Sequence, residues 1–227
     1  MSIYYQDDFV TLYYGDCLTE HREWLAADVL VTDPPYGLAI EQFNMSNKTE
    51  TRRKKRTGNV VANDHSPAAR DAVLARWEDR PAIVFGSWRV ARPLKARHRL
   101  IWHKVNAFPG MSNAPWYASD EEIYILGTGF IGKPAQTVYP TSEYRHGASG
   151  EAAKVGHPTP KPVGLMERLI EKCPPGIIAD PFAGSGATLV AAKNLRRKAI
   201  GVELEERYCE IIAKRCAQEV FDFGLSA

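Results

Sequence analysis

Short apolar runs alternate with helix-like stretches along almost the whole chain, and this alternation is what most restricts its fold. Candidate strands are Val10 to Tyr14, Val29 to Thr32, Ala82 to Gly86, Leu100 to His103, Ile123 to Leu126, Ile177 to Ala179 and Ala199 to Glu203. Strands separated by helical patterns predict a mostly parallel sheet with helices on its faces. Ser66-Pro67 reads as an N-cap followed by proline in the first turn, after which Val73, Leu74 and Trp77 share a face. A second helix opens at Pro162, where Leu165, Met166, Leu169, Ile170 and Cys173 make an apolar stripe that Pro174-Pro175 ends. The last begins near Glu205, with Tyr208, Ile211 and Ile212 on its buried side.

A chain of 227 residues is long enough for one well-cored domain and short for two, so residues 1–227 are expected to form one domain. With 44% hydrophobic and 25% charged residues, its composition is that of a soluble globular protein. No apolar run approaches the roughly 18 residues that a bilayer-spanning helix needs. The start, MSIYYQDDFV, has neither a basic segment nor an apolar one behind it, so a cytoplasmic protein is expected. Cys17, Cys173, Cys209 and Cys216 form no C-x-x-C pair and have no histidine at zinc spacing, which predicts reduced, mostly buried thiols and no metal. The net charge of +2 is too mild to identify a nucleic-acid partner, so the distribution of charge matters more.

Two stretches break the alternation and read as insertions that serve function. The first, about 38–63, contains KTETRRKKR, with basic residues at Lys48, Arg52, Arg53, Lys54, Lys55 and Arg56. Such a cluster is either a solvated loop or a grip on phosphates. The second, about 127–156, is rich in Gly, Pro, Tyr, Thr and His and has no long period.

The segment VLVTDPPYG, Val29 to Gly37, is a buried-strand run that ends in an acid, two prolines and an aromatic. In an open parallel sheet, ligands bind at the C-terminal strand ends. Prolines there remove amide donors, so the Asp33 carboxylate and the backbone carbonyls make an acceptor-rich rim around Pro34 and Pro35. An exocyclic NH2 on a base offers two N–H donors to such a rim, one for Asp33 and one for the Pro34 carbonyl. Accepting both draws the nitrogen toward tetrahedral geometry and localises its lone pair, while Tyr36 can stack on the base. Taken alone, D-P-P also fits a plain turn.

A second strand, in IIADPFAGSGATLVAAKNL, runs into a glycine-rich turn and then a helix. Gly184 and Gly186 permit a ligand close to the backbone and the helix N-terminus. A lone G-x-G fits nucleotides, flavins and S-adenosylmethionine alike; position 189 is Leu, so the dinucleotide fingerprint fails, and no G-K-[ST] follows. Glu203 ends the next strand and could accept from both hydroxyls of a ribose, and Asp16, after the strand ending at Tyr14, could accept from an adenine amino group.

Together these residues resemble the amino-methyltransferases of DNA, in which D-P-P-Y is the catalytic motif and D-P-F-x-G-S-G the cofactor motif. The catalytic motif precedes the cofactor motif here, as in the circularly permuted beta group. Gly15-Asp16-Cys17 and His157-Pro158-Thr159-Pro160-Lys161-Pro162 match two further segments of that family. The resemblance implies an α/β fold of the S-adenosylmethionine-dependent, Rossmann-like type, circularly permuted, with a mostly parallel seven-stranded sheet. Its one antiparallel strand would be Ile123 to Leu126. It implies that Asp33, Pro34, Pro35 and Tyr36 hold the target amine. Asp180, Pro181, Phe182, Gly184, Ser185 and Gly186 would wrap the methionine end of S-adenosyl-L-methionine, Glu203 its ribose, and Asp16 with Cys17 its adenine end. Thr159 and Lys161 would sit close to the cofactor, although for Lys161 simple exposure before the Pro162 helix is the favoured reading over a direct contact.

The implied activity is methylation of a flipped base in double-stranded DNA by a cytoplasmic enzyme of a bacterial or phage-infected cell. It would act within a restriction–modification pair or as an orphan. In this family D-P-P-Y leans toward adenine N6 and S-P-P-Y toward cytosine N4, so Asp33 favours adenine. Cytosine N4, an RNA or protein N-methyltransferase, and a catalytically silent DNA-binding module are the alternatives. Target recognition would fall to residues of about 127–156, a small region that implies a short site, a homodimer, or the 38–63 insertion as a second reader.

Overall fold

The computed structural model describes residues 3–36, 66–107, 115–142 and 160–218. The basic cluster of Lys48, Arg52, Arg53, Lys54, Lys55 and Arg56 lies outside these residues, as do Thr159 and residues 143–156.

Nine strands form one sheet among the described residues: β1 (Ile3–Gln6), β2 (Val10–Tyr14), β3 (Val29–Thr32), β4 (Ala82–Gly86), β5 (His98–Lys104), β6 (Asp120–Leu126), β7 (Val138–Thr141), β8 (Ile178–Asp180) and β9 (Ala199–Glu203). Their spatial order is β1-β2-β9-β8-β3-β4-β6-β5-β7. From β2 to β4 every pairing is parallel, while β6 is antiparallel to both β4 and β5. The expected antiparallel strand, Ile123 to Leu126, is therefore the C-terminal part of β6.

The expected count of seven strands is corrected to nine. The seven from β2 to β5 match the expectation, and β1 and β7 add one short strand at each edge. β7 lies inside the stretch read as aperiodic. Its VYPT sequence is interrupted by Pro140, which a sheet tolerates at an edge because the missing amide faces no neighbour. Ile101 still donates to Thr137 at 2.8 Å and Val105 to Thr141 at 3.0 Å.

Side chains alternate between the two faces of the sheet. Val29, Val31, Ile83 and Phe85 point to one face and meet α2 (Val163–Ile170), α3 (Ala187–Asn194) and α4 (Glu206–Ala217) through Leu165, Leu169, Leu189 and Ile212. Leu30, Ala82 and Val84 point to the other and meet α1 (Ala68–Trp77) and a 3-10 turn at Glu23–Ala26. Trp24 and Trp77 stack there with centroids 5.9 Å apart, and Arg80 covers Trp77 at 3.5 Å while donating to the carbonyls of Leu25 and Ala27. Burying each such large apolar side chain contributes roughly 1.5–3 kcal/mol.

Local boundaries differ slightly from the sequence expectation. Pro67 caps α1, with Ser66 Oγ accepting from the Ala68 amide at 3.3 Å, and Leu74 and Ile211 are only half-buried. On α4 the buried positions flanking Ile212 are taken by Tyr208, Cys209 and Cys216. All four cysteines are buried free thiols. None of the helices among the described residues is long and apolar enough to cross a membrane.

Candidate functional site

The strand order places the acids singled out in the sequence side by side. Asp16 follows β2, Glu203 ends β9, Asp180 ends β8 and Asp33 follows β3, and these are four neighbouring parallel strands in that order. With strands about 4.8 Å apart, the row spans roughly 14 Å along the C-terminal edge of the sheet. Thr32 Oγ1 donates to Asp180 Oδ1 at 2.6 Å, tying the β3 end to the β8 end beneath the surface.

Around Asp33 the structure adds partners that the sequence did not announce. The Tyr36 hydroxyl donates to Asp33 Oδ1 at 2.6 Å and lies 3.3 Å from Glu121 Oε2. Lys161 Nζ donates to Asp33 Oδ2 and lies 3.2 Å from Glu121 Oε2, and Lys104 Nζ pairs with Glu121 Oε1 at 2.5 Å. Carboxylates and ammoniums thus alternate in the order Lys104, Glu121, Lys161, Asp33. Under the Lys161 ammonium lie the rings of Phe85, Tyr36 and Trp102, at 5.1, 5.8 and 5.8 Å. Lys161 is only 6% exposed at its side chain, against 26% for Asp33.

Burial and the neighbouring Glu121 raise Asp33 above the usual carboxylate range despite the pull of Lys161. For Glu121, burial pushes upward but the two ammoniums outweigh it and hold it low. Burial alone would depress Lys161, yet its two carboxylate partners hold it above the ordinary lysine value. Lys161, expected beside the cofactor, is thus buried against Asp33.

Glu121 and Lys104 were not singled out from sequence, for a topological reason. Because β6 runs opposite to its neighbours, its first residues, Asp120 and Glu121, emerge at the edge where the parallel strands end. The available signal was an acidic start to the one strand expected to be reversed.

The glycine-rich turn has a different chemistry. Asp180, 2% exposed, accepts from Thr32 and from the Phe182 amide at 3.2 Å, and burial pushes it up to about 6 against these bonds and that of Thr188. Glu203 accepts from the Gly184 amide at 2.7 Å and the Glu205 amide at 2.8 Å, and burial pushes it up to about 7. Neither acid forms an ion pair among the described residues. Gly186 caps α3 with φ 80°, and a Cβ there would meet Ile212 Cγ1 at 2.8 Å, so only glycine closes this turn without strain. Pro181, Ser185 and Gly186 are buried, whereas Phe182 and Gly184 are half-exposed toward the edge.

At the far end of the row, Asp16 Oδ1 accepts from the Leu18 amide at 2.6 Å and organises the turn after β2. The Cys17 side chain points into the core, where burial pushes its thiol up to about 12, and its carbonyl accepts from Trp24 Nε1 at 3.0 Å. Cys17 therefore presents no side-chain atom to a ligand at this edge. No group of three His, Cys, Asp or Glu among the described residues could hold a metal ion.

The surface bases of the β4–β5 segment are partly committed elsewhere. Arg99 pairs with buried Glu122 at 3.1 Å and Lys95 with Asp79 at 2.7 Å. Arg99 sits in register with Tyr124, which pairs with Val84 at the middle of β4.

The row of acids suits a ligand rich in hydrogen donors or positive charge, and S-adenosylmethionine, with a sulfonium, a ribose diol and an adenine amine, has that character. Comparison with known proteins agrees. Residues 127–214 match the family described as DNA methylase, N6_N4_Mtase. The type II methyltransferase M2.LlaDCHI of Lactococcus lactis subsp. cremoris is 48% identical over a 247-residue alignment covering 93% of this chain and 91% of that protein. Two solved structures share the fold. The M1.HpyAVI–SAM complex has a TM-score of 0.63 at 21% identity, over 92% of this chain and 100% of that one. The cytosine-N4-specific PvuII DNA methyltransferase also has 0.63, at 17% identity, over 96% and 90%.

Proposed function

The chain belongs to the DNA amino-methyltransferase family, whose members methylate adenine N6 or cytosine N4, and on that footing we propose that it methylates N6 of an adenine flipped out of double-stranded DNA, using S-adenosylmethionine. The observation that carries this reading is the adjacency of Asp33 and Asp180, joined through Thr32. The amine-accepting rim and the glycine-rich turn stand on neighbouring strands, where donor and acceptor can meet.

Asp180 and the backbone of Phe182 to Gly186 hold the methionine end, Glu203 the ribose and Asp16 the adenine, in the order of their strands. S-adenosylmethionine supplies, when bound, a methyl already activated by its sulfonium. Asp33 and the Pro34 carbonyl accept the two N–H bonds of the target amine and localise its lone pair, and Tyr36 stacks on the base. Asp33 is also the nearest base for the proton that the nitrogen must lose. Position and dryness are the protein's main contributions, and no covalent protein nucleophile is needed. Cytosine-C5 chemistry, which requires one, fits poorly: Cys173, like Cys17 and Cys209, is buried with its thiol pushed up to about 12.

Flipping a base out of the duplex costs a few kcal/mol, which phosphate contacts by Lys48 and Arg52 to Arg56 would offset. Neutralising Lys54, Lys55 and Arg56 together should flatten the salt dependence of DNA binding; an unchanged slope would assign this cluster to solvent. Cytosine N4 is the second reading, supported by the likeness to the PvuII enzyme and by an amine with the same two donors.

The role of Asp33 is tested by Asp33→Ala. Transfer of labelled methyl to duplex DNA should fall by roughly 10²–10³-fold or more, with cofactor binding retained. Retained transfer would overturn the assignment.

A further inference from the structure

The chain of alternating charges has a member that the amine chemistry does not itself require. In the structure without DNA, the Lys161 ammonium donates to Asp33 Oδ2 and the Tyr36 hydroxyl to Oδ1, so both oxygens of the acid meant to receive the target amine already have donors. Each oxygen keeps a second lone pair, but the ammonium and the hydroxyl compete with the amine for the same carboxylate, so amine binding is strengthened when one of those donors moves aside. A buried ammonium cannot simply lose its partner, because a charge that is only 6% exposed is strongly destabilising when left unpaired. It must pass to another carboxylate within reach.

We propose that Glu121 is a positioning residue that takes Lys161 from Asp33 when the target amine arrives, so that Asp33 is freed without an ammonium being left unpaired. This rests on the assignment of Asp33 as the amine acceptor. The geometry supports it on three counts. Glu121 Oε2 lies 3.2 Å from Lys161 Nζ, so the transfer needs a shift of the ammonium by less than a rotamer change. The same oxygen is 3.3 Å from the Tyr36 hydroxyl, so Tyr36 has the same second acceptor. Glu121 itself is fixed from the far side by Lys104, which is 12% exposed and 4.7 Å above the Trp102 ring, so the acceptor stays in place while the ammonium moves. Glu121 reaches this position only because β6 is reversed, which brings the start of that strand beside the end of β5.

The proposal separates charge from shape. Glu121→Gln keeps the size of the side chain and an acceptor oxygen but removes the charge that would hold Lys161. Glu121→Asp keeps the charge and loses one methylene. The assay measures methyl transfer to duplex DNA, with the dissociation constants of cofactor and duplex measured in parallel. Glu121→Gln should lower kcat by about tenfold or more while both dissociation constants stay within about twofold of the parent, and Glu121→Asp should recover most of the loss. The acid limb of the Glu121→Gln rate profile should also move to lower pH, because the carboxylate that raises Asp33 is gone. A purely structural role would favour Gln over Asp and would shift the dissociation constants together with kcat. Equal activity of Glu121→Gln and the parent, or a better Gln than Asp variant, would overturn the proposal. If Asp33→Ala is inactive in the same assay, that result removes the handover alone; if Asp33→Ala is active, the amine-acceptor reading itself fails.

Discussion

Asp33 and Glu203 stand at the same edge of one sheet, two strands apart, and carry the same functional group in opposite electrostatic settings. Asp33 is matched within the chain, with Lys161 against it and Glu121 and Lys104 continuing the alternation. Glu203 and its neighbour Asp180 are answered only by amides and hydroxyls among the described residues, and burial pushes them up to about 7 and about 6. The β3 end is therefore compensated before any ligand arrives, and its chemistry depends on moving a charge already present. The β8–β9 end holds negative potential that gains from a positively charged ligand. A sulfonium cofactor and a neutral amine substrate match that division.

Removing the internal cation should show the largest effect. Lys161→Met leaves Asp33 and Glu121 facing each other without their shared ammonium and should cost about 3 kcal/mol in urea unfolding at neutral pH. The deficit should shrink as pH falls, because protonating either carboxylate relieves the repulsion; a pH-independent deficit would mean that Lys161 acts by packing alone.

The other end is broken through its backbone. Gly186→Ala forces a side chain into φ 80° and against Ile212, which should cost roughly 1–2 kcal/mol and weaken cofactor binding while leaving the Asp33 network intact. Normal cofactor affinity in this variant would detach the turn from the cofactor.

Proton linkage gives a smaller, signed effect. Without ligand, stability should fall as pH rises from about 4 to about 7, since folded Asp180 and Glu203 keep protons that the unfolded chain has released. Over the same range, S-adenosylmethionine affinity should increase several-fold, and S-adenosylhomocysteine, uncharged at sulfur, should respond less. Titration calorimetry with both ligands distinguishes them.

Lys95→Ala should do least. Its partner Asp79 is 81% exposed and the pair sits away from the Asp33 edge, so stability should change by under about 0.5 kcal/mol and the salt dependence of DNA binding not at all.

The strands that carry the motifs were legible because each is a short apolar run ended by a residue that cannot continue it. Val10–Tyr14, Val29–Thr32, Ala82–Gly86 and Ala199–Glu203 form where the pattern puts them. β7 was not legible, since Pro140 and its polar neighbours give no period and its pairing depends on β5. Within the site, Asp33, Tyr36, Asp180 and Glu203 could be read from local motifs. Glu121 could not, because its place is set by the reversal of β6, a property of the whole sheet, and Lys104, at the end of β5, enters the site only as the partner of Glu121. The pairing of Lys161 with Asp33 was not legible either: its sequence neighbours are prolines, and its separation of 128 positions from Asp33 hides the contact.

The most direct test of the central claim is to incubate the protein with methyl-labelled S-adenosylmethionine and double-stranded DNA, digest the product to nucleosides and identify the labelled one by mass. The expected product is N6-methyldeoxyadenosine. Label in N4-methyldeoxycytidine would contradict the assignment of adenine, and no label in DNA would contradict the proposed activity as a whole.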